Sequence, residues 1–160
     1  FTAKGPYDLT IVLIHAKRRM ICRQADARAR FLHEDFLILP SFELGEIFVH
    51  VGLTLRCLEA DYNRGLVKAM WYRVCCLEPL TVEETSLRYQ EENLRRIEVS
   101  LETFGRKLTR VEAVTCASVQ GATCEGKVAI GDLSNPHMQN ISALEMAVGR
   151  CREAKNLRFL

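Results

Sequence analysis

Apolar and polar positions change period several times along the chain, and each change marks an expected element. Residues Tyr7 to Ile14 are rich in β-branched and aliphatic side chains and read as a short strand. From His15 to Leu32 the period becomes helical: Leu13, Ala16, Met20, Ala27 and Phe31 recur at spacings of three, four and seven, which predicts one apolar stripe facing a core. Pro40 closes that segment. Between Glu46 and Leu58 the chain alternates, with Ile47, Val49, Val51, Leu53, Leu55 and Cys57 on one face and His50, Thr54 and Arg56 on the other. The cluster Asp61, Tyr62, Asn63, Arg64 and Gly65 is turn chemistry, after which Leu66 to Leu77 resumes an extended pattern. Glu46 to Leu77 is therefore expected to form a long antiparallel hairpin.

Beyond Pro79, Thr81 and Glu84 stand at capping-box spacing, so a helix is expected from there to about Arg95. The acid-before-base pairs Glu84 with Arg88, Glu91 with Arg95, and Glu92 with Arg96 support it. Strand alternation follows over Arg96 to Thr103. Gly105, Arg106 and Lys107 then turn the chain into Leu108 to Ala117, and Gln120 with Gly121 into Thr123 to Asp132, a three-strand meander. After a loop over Leu133 to Gln139, in which Ser134, Asn135 and Pro136 are able to open a helix, Ile141, Leu144, Val148 and Cys151 mark a last apolar stripe.

The sum is an α+β fold: an antiparallel sheet of five to six strands with about three helices packed mainly on one face. A doubly wound fold is disfavoured, because parallel neighbours need a crossover of a dozen or so residues between each pair. Within Ile97 to Asp132, the segment Phe104-Gly105-Arg106-Lys107 between two strands, followed by a second Gly-containing turn, resembles the closing strands of hot-dog thioesterases. That resemblance implies a curved sheet, and only that, since the catalytic carboxylate of that family has no counterpart here.

Composition narrows the class. With 48% apolar and 26% charged residues, the 160-residue chain has a globular profile and is expected to form a single compact domain over 1–160. It starts at Phe1, which suggests a trimmed fragment of a longer chain. The formal charge of +2 is too small to argue for nucleic acid or membrane as a whole. Seven cysteines, an odd number set in apolar runs, favour reduced thiols and an intracellular (cytoplasmic or nuclear) location. No apolar run approaches the roughly 20 residues of a transmembrane helix.

The strongest local feature is a basic helix at 16–30, where Lys17, Arg18, Arg19, Arg23, Arg28 and Arg30 are opposed by Asp26 alone. Such an array can lie along phosphates or meet an acidic protein, although few aromatics interleave it for base stacking. If the sheet encloses a pocket, His50, Trp71, Tyr72 and Cys75 are its polar candidates. Neither a nucleophile with its base, nor converging metal ligands, nor a phosphate-cradling glycine loop stands at a recognisable spacing, so no catalytic residue, metal or cofactor is assigned. Two readings follow. One is a non-catalytic interaction and assembly module, self-associating along the hairpin edges and contacting nucleic acid or an acidic partner through the basic helix. The other is an enzyme on a curved sheet of hot-dog or NTF2-like type, acting on an acyl thioester or another apolar substrate.

Overall fold

In the computed structural model, residues 9–85, 95–119, 124 and 126–160 are described. Contacts divide the chain into two compact units, one of Phe1–Ile21 with Glu112–Leu160 and the other of Cys22–Val111. The second is thus inserted in sequence into the first.

The first unit is built on a parallel sheet. Strand β1 (Leu9–Val12) lies between β9 (Ala113–Thr115) and β10 (Val128–Ile130), and β10 pairs in turn with β11 (Leu157–Phe159). All these pairings are parallel, with Thr10 opposite both Ala129 and Ala113. The sequence explains why β1 tolerates the centre: Leu9, Ile11 and Val12 are buried on a strand with no polar side beyond Thr10, as a parallel strand covered on both faces requires. Helix α1 (His15–Ala29) leaves β1 after a two-residue connection. Helix α3 (Ile141–Val148) precedes β11 and is capped by Asn140, whose side chain accepts from the Ser142 N–H at 2.9 Å.

The second unit holds an antiparallel sheet in the order β7 (Arg96–Glu98), β6 (Leu80–Glu84), β5 (Trp71–Leu77), β4 (Thr54–Cys57) and β8 (Leu108–Arg110), together with a separate hairpin of β2 (Leu37–Ser41) and β3 (Gly45–Val49). Helix α2 (Leu101–Lys107) joins β7 to β8. Ile47, Val49, Leu55, Tyr72, Val74, Val82 and Phe104 form the centre of its core.

The fold is therefore a mixed α/β structure with three α-helices among the described residues, and it corrects the expectation of one antiparallel sheet. The expected meander does not form. Strand β8 belongs to the antiparallel sheet, whereas β9 and β10 flank β1 in the parallel one, a long-range choice that local alternation does not encode. The expected strand over Glu46 to Leu58 is two strands, since Gly52 adopts a φ of 89° and turns the chain between them. Its inward set holds at Ile47, Val49, Leu53, Leu55 and Cys57 and fails at Val51, which the turn exposes. Of β3 and β4, β4 is the one that pairs with β5, so the hairpin runs from Gly52 opposite Val74 to Cys57 opposite Ala69 and Met70 instead of from Glu46 to Leu77. Residues 80–84 are strand instead of helix start: Leu80 and Val82 point into the core while β5 and β7 satisfy the backbone on either side. The remainder of that expected helix, with its acid–base pairs, involves residues 86–94, outside the described ones. Finally, Ser100 accepts from the Thr103 N–H at 3.2 Å and starts α2 where strand was expected. Phe104–Lys107 is thus helical, and the turn behind the hot-dog resemblance is absent.

Candidate nucleic-acid interface

Helix α1 presents a different face from the one its apolar residues suggest. The buried positions are Arg18, Cys22, Asp26 and Ala29, spaced by four, four and three, while Met20 and Phe31 of the expected stripe are exposed. A carboxylate sets this register. Asp26 Oδ1 accepts from the Phe48 N–H and from Arg110 Nη1, both at 2.8 Å, and Oδ2 accepts from Arg30 at 3.4 Å. Arg110 also donates to the Phe48 carbonyl at 3.3 Å, so one buried ion pair ties α1 to β3 and β8. Removing Asp26 would take the carboxylate partner at 2.8 Å from the buried Arg110 guanidinium and the acceptor from the Phe48 N–H at once.

The six basic residues separate by role. Arg18 is 5% exposed and is not available to a ligand. Lys17 is half-buried and binds Asp132 at 2.6 Å. Arg30 pairs with Glu46 at 2.6 Å. Arg23 donates to the Leu44 carbonyl at 3.4 Å, a bond that orients the guanidinium and leaves its charge uncompensated. Arg19 and Arg28 are exposed and form no ion pair with a described residue. Arg23 and Arg30 line one open cleft of about 500 Å³ together with Asp26, Ala27, Leu44, Gly45 and Glu46.

Asp132 stands at the carboxyl end of the parallel sheet, directly after β10, with a φ of 63°. It accepts from the Leu13 N–H at 2.9 Å as well as from Lys17. Burial pushes its carboxyl up, but the Lys17 and Leu13 hydrogen bonds outweigh burial and hold it below the ordinary carboxylate value. The residue fixes the start of α1 against the end of β10.

The expected pocket residues do not converge. His50 stacks on His33, with ring centroids 3.7 Å apart. Trp71 is buried, and Tyr72 is fully buried with its hydroxyl accepting from the Val67 N–H at 2.9 Å. Cys75 alone lines an open cleft of about 980 Å³, among Phe36, Leu77 and Leu80. Burial pushes its thiol up, so it is a poor nucleophile. Sequence reasoning missed Arg110 and Asp132, which act at long range, and Asp26 gave one signal, being the lone acid in a basic helix. Among the described residues no helix is long and apolar enough to cross a membrane.

No protein-family model matches the chain, and no curated protein does. Solved structures do. A Pif1 helicase structure concerned with DNA unwinding at forked double-stranded DNA matches with a TM-score of 0.62 at 22% identity, over 99% of this chain and 40% of that one. Pif1 helicase from Candida albicans gives 0.62 at 14% identity, over 100% and 46%. Bacteroides Pif1 bound to single-stranded DNA gives 0.57 at 18% identity, over 98% and 41%. At these identities the likeness is one of fold, and the chain spans less than half the length of the proteins it matches.

These findings overturn both functional readings of the sequence. A self-associating, non-catalytic module was inferred from a long hairpin with open edges, whereas the hairpin is shorter and β8 and β6 cover β4 and β5. A hot-dog or NTF2-like enzyme was inferred from a single curved sheet. The fold is instead shared, along the whole chain, with DNA helicases.

Proposed function

We propose that the chain is a nucleic-acid-binding segment of a DNA helicase of the Pif1 kind. The observation that carries this reading is coverage: the likeness includes both units, the parallel sheet and the antiparallel sheet inserted into it, and leaves almost none of the chain outside it. A likeness confined to one small sheet would say little; one that runs along both units is far more restrictive. The exposed guanidinium groups of Arg19, Arg23 and Arg28 support the reading, since they offer phosphate contacts that no described carboxylate neutralises. Lys17 and Arg30 serve it less directly, through their carboxylate partners, and Arg18 serves as internal packing. An intracellular location, expected from the cysteines, accords with action on DNA.

The test is fluorescence anisotropy of a short labelled single-stranded oligonucleotide across a salt titration. Binding is expected to weaken with salt, with a log–log slope of about −0.7 per phosphate contacted. Arg19→Glu with Arg23→Glu is expected to weaken binding at least about tenfold and to flatten that slope by about one to two phosphates' worth. Absence of binding at low salt would overturn the reading.

A further inference from the structure

We propose that Phe42, on the turn that Arg23 reaches, and Phe31, two residues past the end of α1, form stacking positions for unpaired nucleic-acid bases. The proposal rests on the nucleic-acid reading above and names the chemistry it would use. Phe31 and Phe42 are each 90% exposed, while Phe48 and Phe104 are buried. A lone exposed ring is ordinary on a protein surface; what sets Phe42 apart is the anchored turn that carries it and Arg23, which reaches that turn.

Phe42 is not a loose side chain on a loose loop. Its N–H donates to the Gly105 carbonyl at 2.9 Å, and the buried Ser41 accepts from the Leu44 N–H at 3.3 Å. Ser41 and Leu44 on either side of it are sunk into the protein, so the turn is anchored and the ring projects from it. Ordering a base against such a ring costs little conformational entropy, because the backbone is already fixed.

The charge beside the rings selects the ligand. Arg23 reaches the same turn, donating to Leu44 two residues from Phe42, and Arg28 lies three residues before Phe31. Aromatic faces next to guanidinium groups suit a single strand, whose bases are free to stack while its phosphates meet the cations. The larger cleft at Phe36, Leu77 and Leu101 offers more apolar surface, but its rim carries Glu34, Asp35 and Glu78 and no basic residue, which repels a phosphate chain. Duplex DNA hides its base faces, so the site discriminates in favour of single strands.

The experiment compares labelled oligothymidylate with an abasic strand of the same length, using the native chain, Phe42→Ala, Phe31→Ala and Phe42→Trp. Both alanine variants are expected to bind oligothymidylate roughly tenfold more weakly, to bind the abasic strand as the native chain does, and to keep its salt slope. Phe42→Trp is expected to retain affinity and to show quenching of its solvent-exposed emission by oligothymidylate. Equal affinities of native and alanine variants for oligothymidylate, or equal losses on both strands, would overturn the stacking proposal while leaving the nucleic-acid reading in place. A native chain that binds neither strand overturns both.

Discussion

Two aspartates show how single residues fix large pieces of this protein. Asp26 gives α1 its register by collecting the Phe48 amide and the Arg110 guanidinium, so the helix buries an ion pair where its apolar residues predicted a hydrophobic seam. Asp132 does the same for the start of α1, with a carboxyl held below its ordinary value by Lys17 and the Leu13 amide. A depressed folded-state value means that its contribution is complete above the unfolded value of about 3.9 and is lost as the pH falls through the folded one. Asp132→Asn keeps a residue that tolerates the left-handed backbone while removing the charge. At pH 7 it is expected to lose about 1–2 kcal/mol, a charged hydrogen-bond value discounted because Lys17 is 38% exposed. In urea melts the gap to the native chain should close as the pH drops below about 4; a gap constant from pH 7 to pH 3 would contradict this account.

At the level of elements, Gly105 sits inside α2, where alanine ordinarily stabilises a helix by up to about 1 kcal/mol. Here the sign reverses. A Cβ at Gly105 would run into the Pro40 carbonyl oxygen, which is backbone on a paired strand and does not swing away. Gly105→Ala is expected to destabilise by about 1–3 kcal/mol, read as a lowered urea midpoint. The same contact explains what the sequence conceals. The start of α1 at His15, the inward parity of Ile47, Val49, Leu55 and Cys57, an extended run ending at Leu77 and a helix starting at Ile141 all follow from local period and are kept. By contrast, α1 stops at Ala29 short of Leu32, the strand starts at Trp71 instead of Leu66, and the last helix stops at Val148, well before the expected end near Lys155. The capping-box pattern at Thr81 and Glu84 loses to burial of Leu80 and Val82 between two strands, a tertiary term stronger than any cap. The basic helix is legible residue by residue, but the burial of Arg18 and the reach of Arg23 to the Leu44 carbonyl on the β2–β3 turn are tertiary and leave no mark in the local pattern.

On the scale of the whole molecule, the insertion leaves the parallel sheet dependent on its first strand. Strand β1 is interior to that sheet, bonded on one side to β9 and on the other to β10, and the Thr10 N–H donates to the Glu112 carbonyl at 2.8 Å. Thr10→Pro removes that donor from a central strand. Hydrogen exchange is expected to show lost protection at β9 and β10 with protection retained at β5 and β6; uniform loss, or none, would refute that division. The order of synthesis adds a consequence of its own. A ribosome delivers Leu9, Ile11 and Val12 before their partners at 113–115 and 128–130, which emerge only after about one hundred further residues. Throughout that interval a sticky tetrapeptide waits unmatched while the later-made insert can already complete its own hydrogen bonding, so β1 is open to misassociation for as long as the insert takes to be made.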